Sequence, residues 1–271
     1  MRVGVDTGGT FTDLVTDDGT VVKVLSTPAD PGRAVRAVVG EAVVAGRRPA
    51  TLAHGTTVAT NALLERRTAT VALVTTEGLR DVVEIGRQDR PSLYDHLASR
   101  PEPLVPRDRR HEVGGRVAAD GTELVPLDLG PLAGLDPGVE AVAVCLLHAD
   151  VAPAHERAVA AALRARGHDV CCSHEVSPEV REAERTVTTV INAALRPRCR
   201  AYLRGLADLA DEVLAMTSSG GLLPVRQAAE LPAALLLSGP AGGVRAGAAA
   251  AVANGFPDAV TFDMGGTSTD V

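Results

Sequence analysis

Eight residues near the start of the chain, DTGGTFTD at 6–13, return almost unchanged as DMGGTSTD at 263–270. Six of the eight positions are identical: the first Asp, both Gly, two Thr and the closing Asp. Each octet follows a short β-branched run, MRVGV or AVTF, so each reads as a strand, a Gly-Gly turn and a return strand. Such a turn presents backbone N–H groups to a phosphate. Gly8, Gly9, Gly265 and Gly266 allow the close approach this requires, and Thr10, Thr12, Thr267 and Ser268 add hydroxyl donors. The carboxylates of Asp6, Asp13, Asp263 and Asp270 repel phosphate directly. They are suited instead to hold Mg²⁺, usually through its waters, and so bridge to phosphate. Two such hairpins face to face would clamp one nucleotide.

Other residues invite chemistry more weakly. His54 leads a Gly55-Thr56-Thr57 turn into a helix N-terminus, where N–H groups and the dipole favour an anion, and Asn61 lies one turn inside. Arg87, in a loop, offers a planar fork for a carboxylate or phosphate, or is simply solvated. Glu184 and Arg185 sit in a charge-rich helix where local ion pairs are the expectation. Ser218-Ser219-Gly220-Gly221 reads either as a third anion-facing turn or as a strand end. The cluster His168, Cys171, Cys172 and His174 has metal-binding residue types, but a strand end with a turn is the preferred reading. There is no G-x-S-x-G elbow, H-E-x-x-H helix or Ser-His-Asp ordering, which argues against hydrolysis without a nucleotide.

Composition narrows the setting. The net charge of −7 argues against a nucleic-acid or anionic-membrane surface. Lys23 is the single lysine among 27 basic residues, and its strand context excludes a Walker-A loop. No apolar run approaches a membrane span, no leader pattern precedes the first strand, and the four cysteines lack a paired spacing. A reduced, cytoplasmic protein is expected.

The elements that must position these residues follow from periodicity. Strands are expected at 2–6, 11–16 and 20–26, with Asp17-Asp18-Gly19-Thr20 as a hairpin turn, then a helix from Pro31 to about Ala45. A strand at 50–54, a helix through about Leu64 and a buried strand at 69–75 come next. After a helical turn near 78–85 and an irregular, Pro-rich stretch at 88–108, a hairpin joins 109–118 to 122–126. Strand 139–146, helix 153–166 and strand 168–172 alternate as in a parallel sheet. A long helix at 178–208, with a possible break at Pro197, precedes strand 212–216, a small-residue helix at 240–253 and strand 258–263.

The paired octets and the small-residue helix resemble the actin/sugar-kinase/heat-shock-chaperone ATPase superfamily. Four further blocks narrow this: HGTTVATNALLER at 54–66, EIGRQDRPSLYD at 84–95, SHEVSPEVREAERTVTTVINAAL at 173–195 and SGPAGG at 238–243. With both octets they resemble the hydantoinase A/5-oxoprolinase family from end to end of the chain. The resemblance implies an α/β fold: a ribonuclease-H-like domain with a mixed sheet and an inserted α/β segment, plus the start of a second domain. It also implies ATP and Mg²⁺ as cofactors, Asp6 and Asp263 as metal holders, and Asp13 and Asp270 as catalytic carboxylates or hairpin braces. His54, Thr56, Thr57, Asn61 and Arg87 become candidate substrate residues. The implied activity is ATP-dependent opening of a cyclic amide, with a B-type subunit as partner. A ketone carboxylase subunit and a non-catalytic assembly partner are the alternatives.

Family members continue well past the point matching Val271. The resemblance therefore implies a first domain at 1–235, with 236–271 as the connecting helix and first hairpin of a second ATPase domain. On this reading 238–271 packs poorly unless the missing C-terminal half or another chain covers it, and the 271-residue chain alone is inactive.

Overall fold

The computed structural model describes residues 1–27, 29–42, 48–264 and 269–271, and for Asp270 the backbone only. The chain opens with β1 (Arg2–Thr7), β2 (Phe11–Thr16) and β3 (Val21–Leu25), an antiparallel meander. β1 and β2 alternate strictly, with Val3, Val5, Leu14 and Thr16 buried and the residues between them turned the other way. α1 (Pro31–Ala42) packs Ala34, Val35, Val38 and Val39 inward. The end expected for this helix, near Ala45, lies outside the described residues. β4 (Thr51–Thr56) returns parallel to β1 and feeds α2 (Val58–Leu64).

The chain then enters a second compact unit, residues 68–197. Its elements are β5 (Val71–Thr76), α3 (Val82–Ile85), β6 (Arg110–Val117), β7 (Glu123–Asp128), β8 (Ala141–Cys145), α4 (Ala154–Ala165), β9 (Val170–Cys172), α5 (Ser173–Val176) and most of α6 (Glu182–Arg204). The sheet order is β7-β6-β5-β8-β9, parallel except for the β6–β7 hairpin. Both faces are covered, so β5 and β8 are buried at every position, as expected for the β-branched run at 69–75. One face takes Val159, Ala160 and Leu163 of α4, the other Val190, Ala193 and Ala194 of α6.

Residues 198–271 rejoin residues 1–67 in the first unit. They supply β10 (Glu212–Met216), β11 (Leu222–Pro224), α7 (Val225–Ala228), α8 (Ser238–Ala253), β12 (Asp263–Met264) and β13 (Thr269–Asp270). The first unit's main sheet has the order β11-β10-β4-β1-β2-β3, with β10 and β4 parallel to β1. An antiparallel meander followed by parallel additions on the other side of β1 is the ribonuclease-H-like arrangement, here with a whole α/β unit inserted after α2.

Two expectations needed correction. Pro197 does not break α6, which runs through it. A proline removes one N–H and crowds the carbonyl four residues back, but Leu195, Cys199 and Leu203 are wholly buried around it and hold the helix in place. The strand expected at 258–263 is reduced to Asp263–Met264, because 258–262 has no ladder partner among the described residues. β11 and α7 were not anticipated.

Candidate functional site

The alternation of β1 and β2 divides the first octet between two sides of the sheet. Asp6 and Asp13 are cross-strand partners, so both carboxylates project from the same face, which also carries Gly4 and Gly55. Gly55 of β4 lies directly beside Asp6, and a Cβ there would meet Asp6 Oδ1 at 2.6 Å. The missing side chain is what gives the Asp6 carboxylate its place. Lys23 Nζ, on the neighbouring strand, meets Asp13 Oδ1 at 2.7 Å and lies over the Phe11 ring at 4.7 Å.

α8 and the second octet bound this face. Ser238, at the start of α8, donates to Thr56 O at 3.3 Å, and the Leu237 N–H donates to Thr60 Oγ1 at 3.3 Å. Farther along, Arg245 donates to Gly220 O at 2.7 Å, which fixes the helix to the β10–β11 turn. Gly220 has φ +75°, and the turn at Thr217–Gly221 is closed by the Thr217 N–H to Gly221 O bond at 3.0 Å. Ser218 and Ser219 thus end a strand and form the seat of α8. The Asp263 and Asp270 backbones pair across β12 and β13.

A pocket of about 610 Å³ opens here, lined by Asp6, Gly9, Asp13, Gly55, Gly239 and Asp263 among others. Burial raises the Asp6 carboxyl above its ordinary value, and the charges of Asp13 and Asp263 raise it further. β1, β2 and β12 thus bring three carboxylates of the two octets to one pocket. Gly265, Gly266, Thr267, Ser268 and the side chain of Asp270 lie outside the described residues.

The turn of the first octet is prepared unevenly. The Gly8 N–H is used inside the hairpin, donating to Phe11 O at 3.0 Å. The N–H groups of Gly9 and Thr10 have no partner among the described residues and lie at an exposed tip. Ser26 braces the turn from behind, donating from Oγ to Gly8 O at 2.8 Å and from N to Thr10 O at 2.9 Å. Thr12 is a correction: its hydroxyl is fully buried against Ser26 Oγ at 3.0 Å and supports the turn from within.

His54 is a second correction. As the register partner of Val5, it points to the core side, opposite Asp6. Its ring is 1% exposed, with Nδ1 3.2 Å from Val5 O and Nε2 2.6 Å from the Tyr202 hydroxyl. Facing a carbonyl, Nδ1 must carry the proton, so Nε2 accepts from Tyr202. Burial pulls the imidazole down to about 4 and pushes the Tyr202 phenol up to about 12. The ring braces the sheet against α6 as a neutral group. Thr56 is similarly internal, its hydroxyl accepting from the Val58 N–H at 3.2 Å. Thr57 and Asn61 remain at the end of β1: Asn61 donates to Thr57 Oγ1 at 3.3 Å, and Thr57 donates to Thr7 O at 3.3 Å.

Arg87 belongs to the second unit, where its Nε donates to Glu184 Oε1 at 2.5 Å. It is therefore not among the residues lining the carboxylate pocket. Arg185 is wholly buried and bonds Asp150 at 2.6 Å, Leu146 O at 2.8 Å and Glu179 O at 3.0 Å, so its main partners are tertiary. The four-residue His/Cys cluster does not assemble. Cys171 and Cys172 fall on opposite faces of the sheet, and Cys172 and His174 meet Glu156 instead. Both oxygens of Glu156 are already bonded, by Leu146 N at 2.9 Å and Ser173 Oγ at 2.6 Å, and by His174 N at 3.1 Å and Nδ1 at 2.6 Å. This buried carboxylate ties α4 to the ends of β8 and β9.

Sequence reasoning missed Gly55, Ser26 and Tyr202 at the first-unit site. Gly55 was visible within the HGTT turn, but only the β1–β4 register says which carboxylate it accommodates.

Comparison with known proteins agrees with this arrangement. The hydantoinase/oxoprolinase N-terminal region matches residues 2–167, and the hydantoinase/oxoprolinase family proper matches residues 185–271. The alpha subunit of caprolactamase from Pseudomonas jessenii is 38% identical over all of this chain, which spans 43% of that subunit. 5-Oxoprolinase 1 of Arabidopsis thaliana is 34% identical, and the chain spans 25% of it. The crystal structure of ATP-dependent caprolactamase from Pseudomonas jessenii superposes with a TM-score of 0.84 at 34% identity, over 99% of this chain and 43% of that one. With the ribonuclease-H-like sheet, the two octets in sequence order and family matches covering both stretches, the chain belongs to the hydantoinase/oxoprolinase family.

Proposed function

We propose that this chain is the N-terminal portion of the A-type subunit of an ATP-dependent cyclic amide hydrolase. The observation that carries the reading is the convergence of Asp6, Asp13 and Asp263 on one pocket beside the unpaired N–H groups of Gly9 and Thr10. An amide resists water because its carbonyl is resonance-stabilised. Transfer of the γ-phosphoryl of ATP to the amide oxygen removes that resonance and releases ADP. Water then adds to the activated carbon, the ring opens at the C–N bond, and a second water hydrolyses the resulting acyl phosphate. Catalysis of the transfer is mostly positioning and charge neutralisation.

The donor set suits Mg²⁺. Hard carboxylate oxygens are its preferred ligands, and a raised Asp6 crowded by two like charges is what a divalent cation relieves. Asp6 and Asp263 would hold it, where it would neutralise charge on the transferring phosphoryl group. Gly8, Gly9 and Thr10 shape one phosphate turn. The phosphate role of Gly265, Gly266, Thr267 and Ser268, which lie outside the described residues, rests on the repeated octet. Each N–H bond to a charged oxygen contributes about 1.5–3 kcal/mol, so losing several is decisive. Asp13, held by Lys23, orients the attacking group, and Asp270 is its counterpart in the second octet.

The division of 1–235 from 236–271 belongs to the same proposal, with α8 and the second hairpin opening a second ATPase domain. The remainder of the A-type subunit and a B-type subunit would be the partners. No helix among the described residues is long and apolar enough to cross a membrane. A cytoplasmic setting is part of the same proposal, in keeping with four buried cysteine thiols outside any disulfide. The caprolactamase and 5-oxoprolinase relatives are more similar in sequence (38% and 34% identical) than the acetophenone carboxylase gamma subunit of Aromatoleum aromaticum (31%), so ketone carboxylation is the weaker reading.

The test is ATP hydrolysis by the complete subunit with its B-type partner. Caprolactam or 5-oxoproline should raise the rate, and Asp6→Asn should remove the rise, by roughly 100-fold or more in kcat. ATP consumption that needs bicarbonate and a ketone would select the carboxylase chemistry instead.

A further inference from the structure

The turn between β1 and β2 sets two glycines in series, Gly8 and Gly9, and glycine lets the peptide between them face either way at little cost. Neither takes a left-handed φ, and a Cβ on Gly9 would meet nothing within 4 Å. The two residues alone therefore leave the direction of that peptide open, and a group outside the turn must choose it.

β3 supplies the group. Its register with β2, Phe11 opposite Leu25, continues one step past the strand, where the Ser26 N–H donates to Thr10 O at 2.9 Å. Alternation puts the Ser26 side chain on the side of Thr12, the face opposite Asp13. From there Ser26 Oγ donates to Gly8 O at 2.8 Å. A hydroxyl has one proton, so Thr12 must be the donor in the 3.0 Å contact between Thr12 Oγ1 and Ser26 Oγ. The hydroxyls form a chain from Thr12 through Ser26 to Gly8 O, anchored in the core by a fully buried Thr12, and each bond polarises the next.

Amide geometry carries the effect across the turn. In a planar trans peptide the carbonyl and the following N–H point in opposite directions. With Gly8 O drawn to the Thr12 side, the Gly9 N–H is turned toward the face that carries Asp6 and Asp13. Gly9 lines the carboxylate pocket on that face, and its N–H has no partner among the described residues. Ser26 is not part of that lining, so it acts on the pocket only through the peptide.

We propose that Ser26, backed by Thr12, is a positioning residue for phosphate binding: it locks the Gly8–Gly9 peptide with the Gly9 N–H already aimed at the phosphate. A donor held in place needs no reorientation when the anion arrives. The proposal rests on the Mg-nucleotide reading above and adds the group that presets its first turn.

The experiment compares wild type with Ser26→Ala, Ser26→Thr and Thr12→Val. Backbone NMR of the nucleotide-free 271-residue chain reads the peptide directly, through the Gly8 carbonyl and Gly9 amide signals. S26A should shift or broaden both, S26T should keep them, and T12V should move them less than S26A. Mg-ADP titration of the chain and the KM for ATP of the complete enzyme read the consequence. S26A should weaken Mg-ADP binding and raise the KM by about tenfold, with recovery in S26T and a smaller loss in T12V. At saturating Mg-ADP the Gly9 amide should move less in S26A than in wild type. A merely structural brace would lower the urea midpoint and leave that Gly9 response intact. If S26A does not fold, T12V against S26T carries the same comparison. Identical Gly8 and Gly9 signals in wild type and S26A, or equal Mg-ADP affinity in the two, would overturn the proposal. Failure of the nucleotide reading is a separate result: no Mg-ADP response in wild type and no ATP turnover by the complete enzyme. The nucleotide-free spectra of S26A would still decide whether Ser26 orients the peptide.

Discussion

The two octets differ in almost nothing but their surroundings, and the surroundings produce two different hairpins. The first lies inside a six-stranded sheet, with five register pairs between β1 and β2, β4 on one flank and β3 on the other. Val5 and Leu14 are buried within it. Among the described residues the second shows two register pairs, Asp263 with Asp270 and Met264 with Thr269, in a sheet of two strands. Asp263 and Met264 are exposed, as are Phe262 and Val260 just before them. Near-identical local sequence does not make the two equally anchored, because burial by neighbouring strands supplies most of the stability of any two-stranded unit.

The sharpest test of that contrast is a truncation in each hairpin. Leu14→Ala removes a wholly buried side chain and should cost about 2–5 kcal/mol, read as a shift in the urea midpoint at unchanged slope. A cost below about 1 kcal/mol would mean that the first hairpin is no better anchored than the second.

Acid should expose the core side of the same hairpin next. The folded-state pKa of His54 is depressed to about 4, so the unfolded chain takes up its proton first as pH falls below 6.5. Stability is therefore complete above that value and declines between about 6.5 and 4, on the order of 3 kcal/mol from this one ring. His54→Gln should flatten the curve over that window, and an equally steep curve would show that His54 is not the group responsible.

On the opposite side of β1 the sign reverses. Asp6 is raised by burial and by Asp13 and Asp263, so neutralising it relieves repulsion. Asp6→Asn should stabilise the metal-free chain by about 0.5–1 kcal/mol in thermal melts while abolishing any stabilisation by added Mg-ADP. A destabilised variant would mean that the carboxylate is paired rather than crowded. The smallest effect belongs to the second hairpin: Met264→Ala, at 70% exposure, should change stability by no more than about 0.5 kcal/mol.

Much of this was legible in the chain. The alternation of β1 and β2 and the paired octets identified the meander and its acidic turn. The apolar, β-branched run at 69–75 marked a buried strand, found as β5 (Val71–Thr76), and the strand expected at 139–146 is found as β8 (Ala141–Cys145). What the sequence did not reveal depends on partners far along the chain. His54 and Gly55 are neighbours in one motif, yet the β1–β4 register sends His54 to the core and leaves Gly55 beside Asp6. Arg87 read as a ligand fork, but Glu184, 97 residues away, holds it. Glu156 gave no signal, because its four donors come from the ends of two strands that only the folded sheet brings together.

The central claim is that both octets serve one Mg-nucleotide site, and a double-mutant cycle on Mg-ADP binding tests it most directly. Asp6→Asn and Asp263→Asn should each weaken binding by tenfold or more, and the pair together should lose far less than the product of the two. An Asp263→Asn chain that binds Mg-ADP like the wild type, or two effects that simply multiply, would show that the carboxylates of the two ends do not share a ligand.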